Sequence, residues 1–523
     1  EEALEELLRA KPSRDFEVIW EMTMEEKEKG FCRGPFSSNQ MNSKFEPGQW
    51  RFVPRFVVTQ PCGKRRCVDD ALRGLQNAAT LLMETIYTIG IDVIPQIVAL
   101  FVAEVMAVVM PGSERMTREE LIPLLTEWLT FALGLDDLPD AYRGCPVVEH
   151  HLRANIVAVW SPLSEQWVFF EFMGCLFGFT AAVVGFNRLP TLAVAVTRRV
   201  IGVAAAAYFD DVLTVDIAAL AHHAQQCTAN VLRLVGAPPA PPKTLTPAYH
   251  RVYLGAVVDV GAVMDTGEVI CSPKYHTVHR IIEHVSEVAV SRSFPFGRAS
   301  KLRGIAGWAG SHLHGKCGRL ALRFLKDRQY DKSGCAYVGD AQMEELQHLA
   351  SLALHAPPKS VQVVGRPRQP CVVYSDASFE PGKPIICGWC IYHPGWSNVI
   401  GQSIQLDTDT TARWVARTTE IFPAEACCVV LVPFNHPEAF RDMDVLWFID
   451  NEAAASAAIR GASGSPDVDR IVQIAHMMFL KLGARVWFEW VDSDANPADG
   501  LSRDGLLDAW TVAQGWSLSQ ATA

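Results

Sequence analysis

The chain has 523 residues, a formal net charge of −11, and 49 % hydrophobic against 20 % charged residues. That length exceeds what one core can organise and predicts about three domains of a soluble globular protein. The acidic balance excludes wholesale coating of nucleic acid while leaving local basic patches open, and the 14 cysteines, without framework spacing, fit reduced thiols rather than a disulfide scaffold.

Residues 1–50 read as a charged helix followed by a loop ending near Pro47-Gly48. They lack the apolar run of a secretory signal, which predicts a cytoplasmic or nuclear location or both, and the opening Glu1 points to a piece of a longer chain. From 51 to 265, short apolar strands alternate with helical stretches as a first folded unit. Ile89 to Met110 is long enough for a bilayer, but it carries Asp92, Pro95, Gln96 and Glu104 without a basic flank, which predicts a buried helix and no membrane association. The apolar runs Ile201–Ala207 and Val212–Val215 flank Tyr208-Phe209-Asp210-Asp211, predicting strand, tight turn and strand with the Asp pair at the tip. Ala237 to Lys243 is a rigid Pro-rich loop.

Residues 266–355 read as helical. Between Arg292 and Arg328 they hold nine Lys/Arg against Asp327 alone, interleaved with Phe294, Phe296, Trp308 and Phe324. A phosphate backbone would need such a stripe, and the acidic neighbours of an ordinary solvated helix face are missing. Residues 356–370 read as a Pro-rich, basic linker, 371–510 as a second α/β unit, and 511–523 as a tail; no internal repeat or low-complexity tract is present. Cys387-Gly388-Trp389-Cys390 is a lone CxxC in a strand-like run and reads as buried strand. His312, His314 and Cys317 are zinc-ligand types, but Lys316 and Arg319 lie beside them and no fourth ligand is evident, so they read as packed residues.

Two constellations of carboxylates carry the chemistry. In the first, Leu133-Gly134-Leu135-Asp136-Asp137 brings acids to the end of an apolar segment, as the hairpin does with Asp210 and Asp211. An Asp pair in a turn has a plain explanation, because Asp accepts turn geometry and bonds its own backbone. Its functional reading needs a second acidic segment that meets it in space; two divalent ions bridged by such acids form a clamp for in-line phosphoryl transfer. In the second, Asp376 and Asp450 close apolar strands, Glu425 sits in the first turns of a helix, and Asp499 follows another strand, with Asp492 and Asp494 close enough to compete with it. Taken singly these are a solvated helix face, an N-cap and a loop residue. Together they are what a two-metal site for phosphodiester hydrolysis requires.

Asp137-Leu138-Pro139-Asp140-Ala141-Tyr142 and Tyr208-Phe209-Asp210-Asp211 resemble, in order and spacing, the first palm motif and the YxDD box of reverse transcriptases. Between them, Leu176-Phe177-Gly178-Phe179-Thr180-Ala181-Ala182 with Phe186-Asn187 is similar to a template-packing segment of retrotransposon enzymes. Ahead, Phe56 through Lys64-Arg65-Arg66 to Asp69-Asp70, with Asn77, resembles the fingers motif. Behind, Lys243 and Tyr253-Leu254-Gly255 to Asp259 resemble the lysine motif and the primer grip. Asn496-Pro497-Ala498-Asp499-Gly500-Leu501-Ser502-Arg503 is similar to the closing signature of the ribonuclease H domain that follows the polymerase in retroelements.

The resemblance implies an α+β right-hand polymerase (fingers, palm, thumb) followed by an α/β ribonuclease H-like domain, from an LTR-type or DIRS-type element. It implies metal ligation by Asp137, Asp210 and Asp211 at one site and by Asp376, Glu425, Asp450 and Asp499 at the other, with two Mg²⁺ or Mn²⁺ ions at each. Lys64 with Arg65 or Arg66 would hold the triphosphate, Tyr142 would close against a ribose 2′ hydroxyl, and Phe177, Gly178 and Lys243 would line the substrate site. RNA template, DNA primer, RNA–DNA hybrid and dNTPs are the implied partners. Leu176 and Val183 depart from the prolines usual in this family and support a second reading, a degenerate or domesticated copy that binds nucleic acid without polymerising. Retention of every carboxylate opposes it, because folding does not require clustered like charges.

Overall fold

Two sheets organise the first of two units in this computed structural model, which describes residues 1–60, 63–109, 112, 116–125, 130–313, 315–365 and 368–522. The first unit takes in Glu1–Val109, Pro123–Leu254 and Val263–Thr266; the second takes in Met110–Ile122, Gly255–Ala262 and Gly267–Ala523. Both mix helix and sheet.

In the first unit, β1 (Cys32–Phe36), β2 (Phe52–Thr59), β3 (Arg65–Asp69), β5 (Ile156–Ser161) and β6 (Gln166–Phe172) form a mixed sheet in the order β1-β6-β5-β2-β3. Helix Phe16–Glu28 packs Ile19, Trp20 and Met24 into its core beside Val53, Val157 and Phe170. One helix and a loop were expected before Gly48; the structure has three helices there, Glu2–Arg9, Phe16–Glu28 and Ser38–Phe45, and β1, paired with β6. Gly34 and Pro35 disguise the strand in the sequence, whereas Ser37 and Gln40 form the capping box that starts the helix.

The second sheet of this unit is antiparallel, β7 (Ala205–Tyr208), β8 (Asp211–Ile217), β4 (Phe131–Asp137) and β9 (Leu245–Ala248) in that order, followed in the chain by β10 (His250–Tyr253). Helices Thr180–Val196 and Ala218–Leu234 cover it with Phe186, Ala193, Val231 and Leu232. The predicted hairpin is present, with Tyr208 opposite Asp211 and Phe209 at φ +52° in the tight turn. Ile201 belongs to the preceding helix and Gly202 ends it, so the apolar run is part helix and part strand. The stretch expected as buried helix forms Val93–Val109; Ile94, Val98 and Val102 are buried while Leu100 and Val108 face out, and Met110 lies outside the described residues. Among the described residues, one helix, Thr180–Ile201, is long and apolar enough by length and composition to cross a membrane; its Ala182, Phe186 and Ala193 lie in the core.

In the second unit, β11 (Ala256–Asp259), β12 (Glu268–Pro273) and β13 (Lys359–Gln362) pair antiparallel. Residues 356–370, read as a linker, therefore contain a paired strand; Arg366 and Pro367 lie outside the described residues. Residues 266–355, read as helical, begin with β12 and continue as helices Tyr275–Ser291, Phe296–Gly310, Arg319–Gln329 and Asp340–His355, which share a core of Val288, Phe294, Leu302, Leu325 and Leu346. A six-stranded sheet follows: β14 (Cys371–Ser378), β15 (Ile386–Tyr392), β16 (Ile400–Gln405), β17 (Asp444–Ile449), β18 (Arg485–Trp490) and β19 (Ser517–Gln520), in the order β18-β17-β14-β15-β16-β19. Strands β14 to β16 are antiparallel, whereas β17 lies parallel to both β14 and β18. Helices Ile421–Asn435 and Pro466–Leu482 close a core around Trp389, Trp447, Phe440 and Phe479.

The first unit is locked by a buried ion network that local sequence patterns did not reveal. Asp69, at the end of β3, accepts from Arg55 Nε at 2.7 Å and Arg143 Nη2 at 3.0 Å, and both guanidiniums also bind Glu26 of helix Phe16–Glu28. Burial pushes the Asp69 carboxyl up, but the Arg55 and Arg143 charges outweigh it and hold it below its ordinary value. The stabilisation this provides is complete above about pH 4, the ordinary aspartate value, and is lost as pH falls through the depressed folded value. Asp69→Ala is expected to cost about 3–5 kcal/mol in urea unfolding at neutral pH, with the deficit shrinking below about pH 4. A deficit independent of pH would refute the electrostatic origin.

Candidate functional site

Strand β4 and the hairpin bring the first acids together. Asp137 ends β4 and is the cross-strand partner of Asp211, while Leu138 N donates to Asp210 O at 2.9 Å. Lys243 Nζ donates to Asp137 Oδ1. A cleft of about 520 Å³ is lined by Lys64, Arg65, Arg66, Tyr142, Phe177, Asp210 and Lys243, with Glu26, Lys29 and Asp140 among its other walls. Tyr142 stands with its ring centroid 5.5 Å from Phe177 and 5.6 Å from Phe186, and burial together with the Asp210 charge raises its phenol pKa. Gly178 has φ +135°, and a Cβ there would lie 2.1 Å from Asp69 O, so only glycine allows this close approach. Phe177 N donates to Asp69 Oδ2 and Asp69 N donates to Phe177 O, which ties the Phe177-Gly178 turn to β3. Cys62 of the neighbouring motif lies outside the described residues. Asp137, Asp210 and Asp211 do not converge into a set of three ligand atoms among the described residues.

The second constellation is tighter. Asp376 on β14, Glu425 on helix Ile421–Asn435 and Asp450 after β17 each offer a carboxylate oxygen, and these oxygens lie within 4.8 Å of one another. The parallel pairing of β14 with β17 brings the two strand ends together, and the helix lays Glu425, 2 % exposed, against them. It is thus no solvated helix face. Glu425 Oε1 accepts from Ala377 N at 3.1 Å, and Oε2 is buried with no donor facing it. Burial and the charge of Asp450 raise Asp376 to about 6, and burial with the charges of Asp376 and Asp450 raises Glu425 well above its ordinary value. Three hard oxygen donors, one of them orphaned, could hold a metal cation.

Asp499 does not join this set of three. It opens the short helix Asp499–Arg503 and pairs with Arg503 at 2.8 Å, an i,i+4 contact. Its helix and the turn before it still hold β14, because Ser502 Oγ donates to Asp376 Oδ2 and Asn496 Nδ2, ahead of the helix, donates to Ser375 O. Gly388 makes the approach possible, since a Cβ there would sit 2.5 Å from Ser502 N. The CxxC is buried strand, as expected, with this glycine as its reason. Asn451, not Asp450, caps the next helix, and Asp492 binds Asp494 N in an exposed turn.

The basic stripe is less free than its local sequence implied. Arg292 pairs with Asp340, Arg298 with Glu287, Arg323 with Asp469 and Arg328 with Asp331, so acids outside the segment neutralise much of it. Lys301, Arg319 and Lys326 are exposed and form no ion pair among the described residues. Cys317 donates to His476 O at 3.2 Å, and His314 lies outside the described residues. His476 is packed, as expected, and burial pushes its pKa down to about 4.

No protein-family model matches the sequence, and no curated protein matches it. Among solved structures, the chain is similar to a foamy viral protease-reverse transcriptase in complex with RNA/DNA hybrid, at 12 % identity and a TM-score of 0.48, over 92 % of this chain and 54 % of that one. It is similar to the same kind of protein in complex with dsDNA, at 12 % identity and 0.46, over 92 % and 84 % of the two chains. A dRH form in complex with ds DNA gives 12 % and 0.46, over 91 % and 69 %.

The triad's mutual repulsion has a measurable consequence. In EDTA at about pH 8, Glu425→Gln is expected to raise the thermal midpoint by about 2–4 °C, because one buried like charge is gone. The gain should vanish near pH 5, where the raised wild-type carboxyls already hold protons. An unchanged or lower midpoint at pH 8 would show that the three acids are not in conflict.

Proposed function

We propose that this chain is an RNA-directed DNA polymerase fused to a ribonuclease H, from a retroelement. The observation that carries the reading is the single cleft into which Lys64, Arg65, Arg66, Tyr142, Phe177, Asp210 and Lys243 project from separate stretches of the chain. In this reading the two sheets of the first unit are fingers and palm, residues 266–355 a thumb or connection, and residues 371–510 the nuclease. Asp137, Asp210 and Asp211 would hold Mg²⁺ or Mn²⁺ for nucleotidyl transfer, and Asp376, Glu425 and Asp450 would hold it for hydrolysis, with Asp499 beside them. When bound, such ions activate the attacking oxygen and stabilise the leaving one.

The chain's own groups supply the rest. Lys64 and the two arginines place positive charge for a triphosphate. Tyr142, wedged between Phe177 and Phe186, presents a fixed wall to the sugar and stays a neutral phenol beside Asp210. Lys243 neutralises Asp137 and can exchange that carboxylate for an incoming phosphate. Leu176, where the family pattern has proline, is fully buried in the core of the first sheet, so this departure exchanges one packing residue for another and weakens the case for a degenerate copy.

Primer extension on an RNA template with Mg²⁺ and dNTPs tests the reading. Wild type is expected to give template-directed product, Asp210→Asn on the order of 10²-fold less or lower, and Asp450→Asn to lose cleavage of RNA in a hybrid while keeping extension. Hybrid binding without any product from wild type would instead establish the degenerate copy.

A further inference from the structure

Asp136 is an acid that the proposed chemistry does not use. It is 3 % exposed, next to Asp137 but on the opposite face of β4, and faces the helix Ala218–Leu234. Gln225 of that helix reaches it through a gap left by Gly134, where a Cβ would lie 2.7 Å from Gln225 Cδ. Gln225 Nε2 donates to Asp136 Oδ2 at 3.3 Å, Leu135 O at 3.3 Å and Leu245 O at 3.1 Å. From the other side, Thr244 Oγ1 donates to Asp136 Oδ1 at 2.9 Å. The backbone completes the attachment, with Ala240 N on Asp137 O at 2.9 Å and Lys243 N on Ala240 O at 2.9 Å.

The turn Pro241–Lys243 is therefore pinned at both ends to two consecutive residues of β4, one by a carbonyl and one by a buried carboxylate. Lys243 is the residue that this turn presents. We infer that Thr244 and Gln225, gripping the buried Asp136 carboxylate, are positioning residues that aim the Lys243 ammonium into the cleft. The geometry stands by itself; its consequence for nucleotide use rests on the polymerase reading. A flexible lysine on a loose loop would spread over many rotamers, whereas one on a pinned turn is delivered to a narrow region beside Asp137 and Asp210. Asp136 remains buried because both of its oxygens have donors.

Thr244→Val removes the hydroxyl at nearly constant shape, and Thr244→Ser keeps it. The Val variant is expected to raise KM for dNTP about tenfold, the scale of one hydrogen bond to a carboxylate, with kcat changed far less, and the Ser variant to stay near wild type. In a Lys243→Ala background, Thr244→Val should add no further loss, because its effect runs through Lys243. A full additional loss there, or equal damage from Ser and Val, would reduce Thr244 to a structural residue and overturn the proposal. Hydrogen exchange keeps the test independent of activity: amides of residues 243–245 should exchange faster in the Val variant than in wild type or the Ser variant. If wild type makes no product but this difference holds, the polymerase reading fails and the latch stands. Equal exchange in all three proteins refutes the latch.

Discussion

A carboxylate taken out of water must meet donors or a cation, and most of this chain's architecture can be read as the ways that demand is met. Asp69 meets two guanidiniums, Glu171 meets Lys44 Nζ at 2.6 Å, and Asp469 meets Arg323 together with Ser463. Asp136 has no cation, only the neutral donors Thr244 and Gln225, and its pKa rises with burial as far as those donors allow. Asp376, Glu425 and Asp450 go one step further: they face each other, and Glu425 Oε2 faces no donor at all. The contrast within one chain is informative. The other buried acids named here have donors or cations, so two buried acids and a half-buried third left facing one another mark a place where something other than folding sets the requirement.

Two glycines explain how donors and acids reach those strand ends. Gln225 occupies space that any side chain at 134 would fill, and the Leu501-Ser502 backbone occupies the corresponding space over 388. In each case a strand bearing a buried acid is approached from above by a polar group that could not come as close to a residue with a Cβ. The glycine sits two residues before Asp136 on the same face in one case, and directly across the ladder from Asp376 in the other.

Local patterns made much of this legible. The apolar run with an Asp pair behind it is enough to write a hairpin, because strand period and turn chemistry are properties of adjacent residues. Asp376 and Asp450 announced themselves as acids closing apolar strands, and Glu425 by its place in a helix start. What stayed hidden depends on distant residues. The stripe from Arg292 to Arg328 looked unpaired because Glu287, Asp331, Asp340 and Asp469 lie outside it. Asp499 looked equivalent to the other acids because nothing local says that Arg503, one turn later, will take its carboxylate. The Arg55–Asp69–Arg143 network joins residues up to 88 positions apart; its one local sign was charged residues at positions of β2 and β3 that the strand pattern would bury.

Helix Pro466–Leu482 shows why the Pro-rich stretch after His355 is no hinge between independent bodies. Asp469, Gln473 and His476 stand at i, i+4 and i+7, a polar stripe that a solvated helix would expose, yet all three are buried. Each bonds the segment 316–323: Asp469 to Arg323, Gln473 Oε1 to Leu320 N at 3.2 Å and its Nε2 to Lys316 O at 3.2 Å, and His476 O to Cys317. Neutral His476, its pKa lowered by burial, suits a site that Lys316 and Arg319 already crowd with positive charge. Opening this joint would leave the buried Asp469 carboxylate with Ser463 but no cation, and the buried Gln473 amide with neither of its partners, a cost that is a sizeable part of a domain's stability. The four helices and the six-stranded sheet consequently form one body, and Asp376, Glu425 and Asp450 are carried on a platform joined by polar bonds that neither segment could satisfy alone.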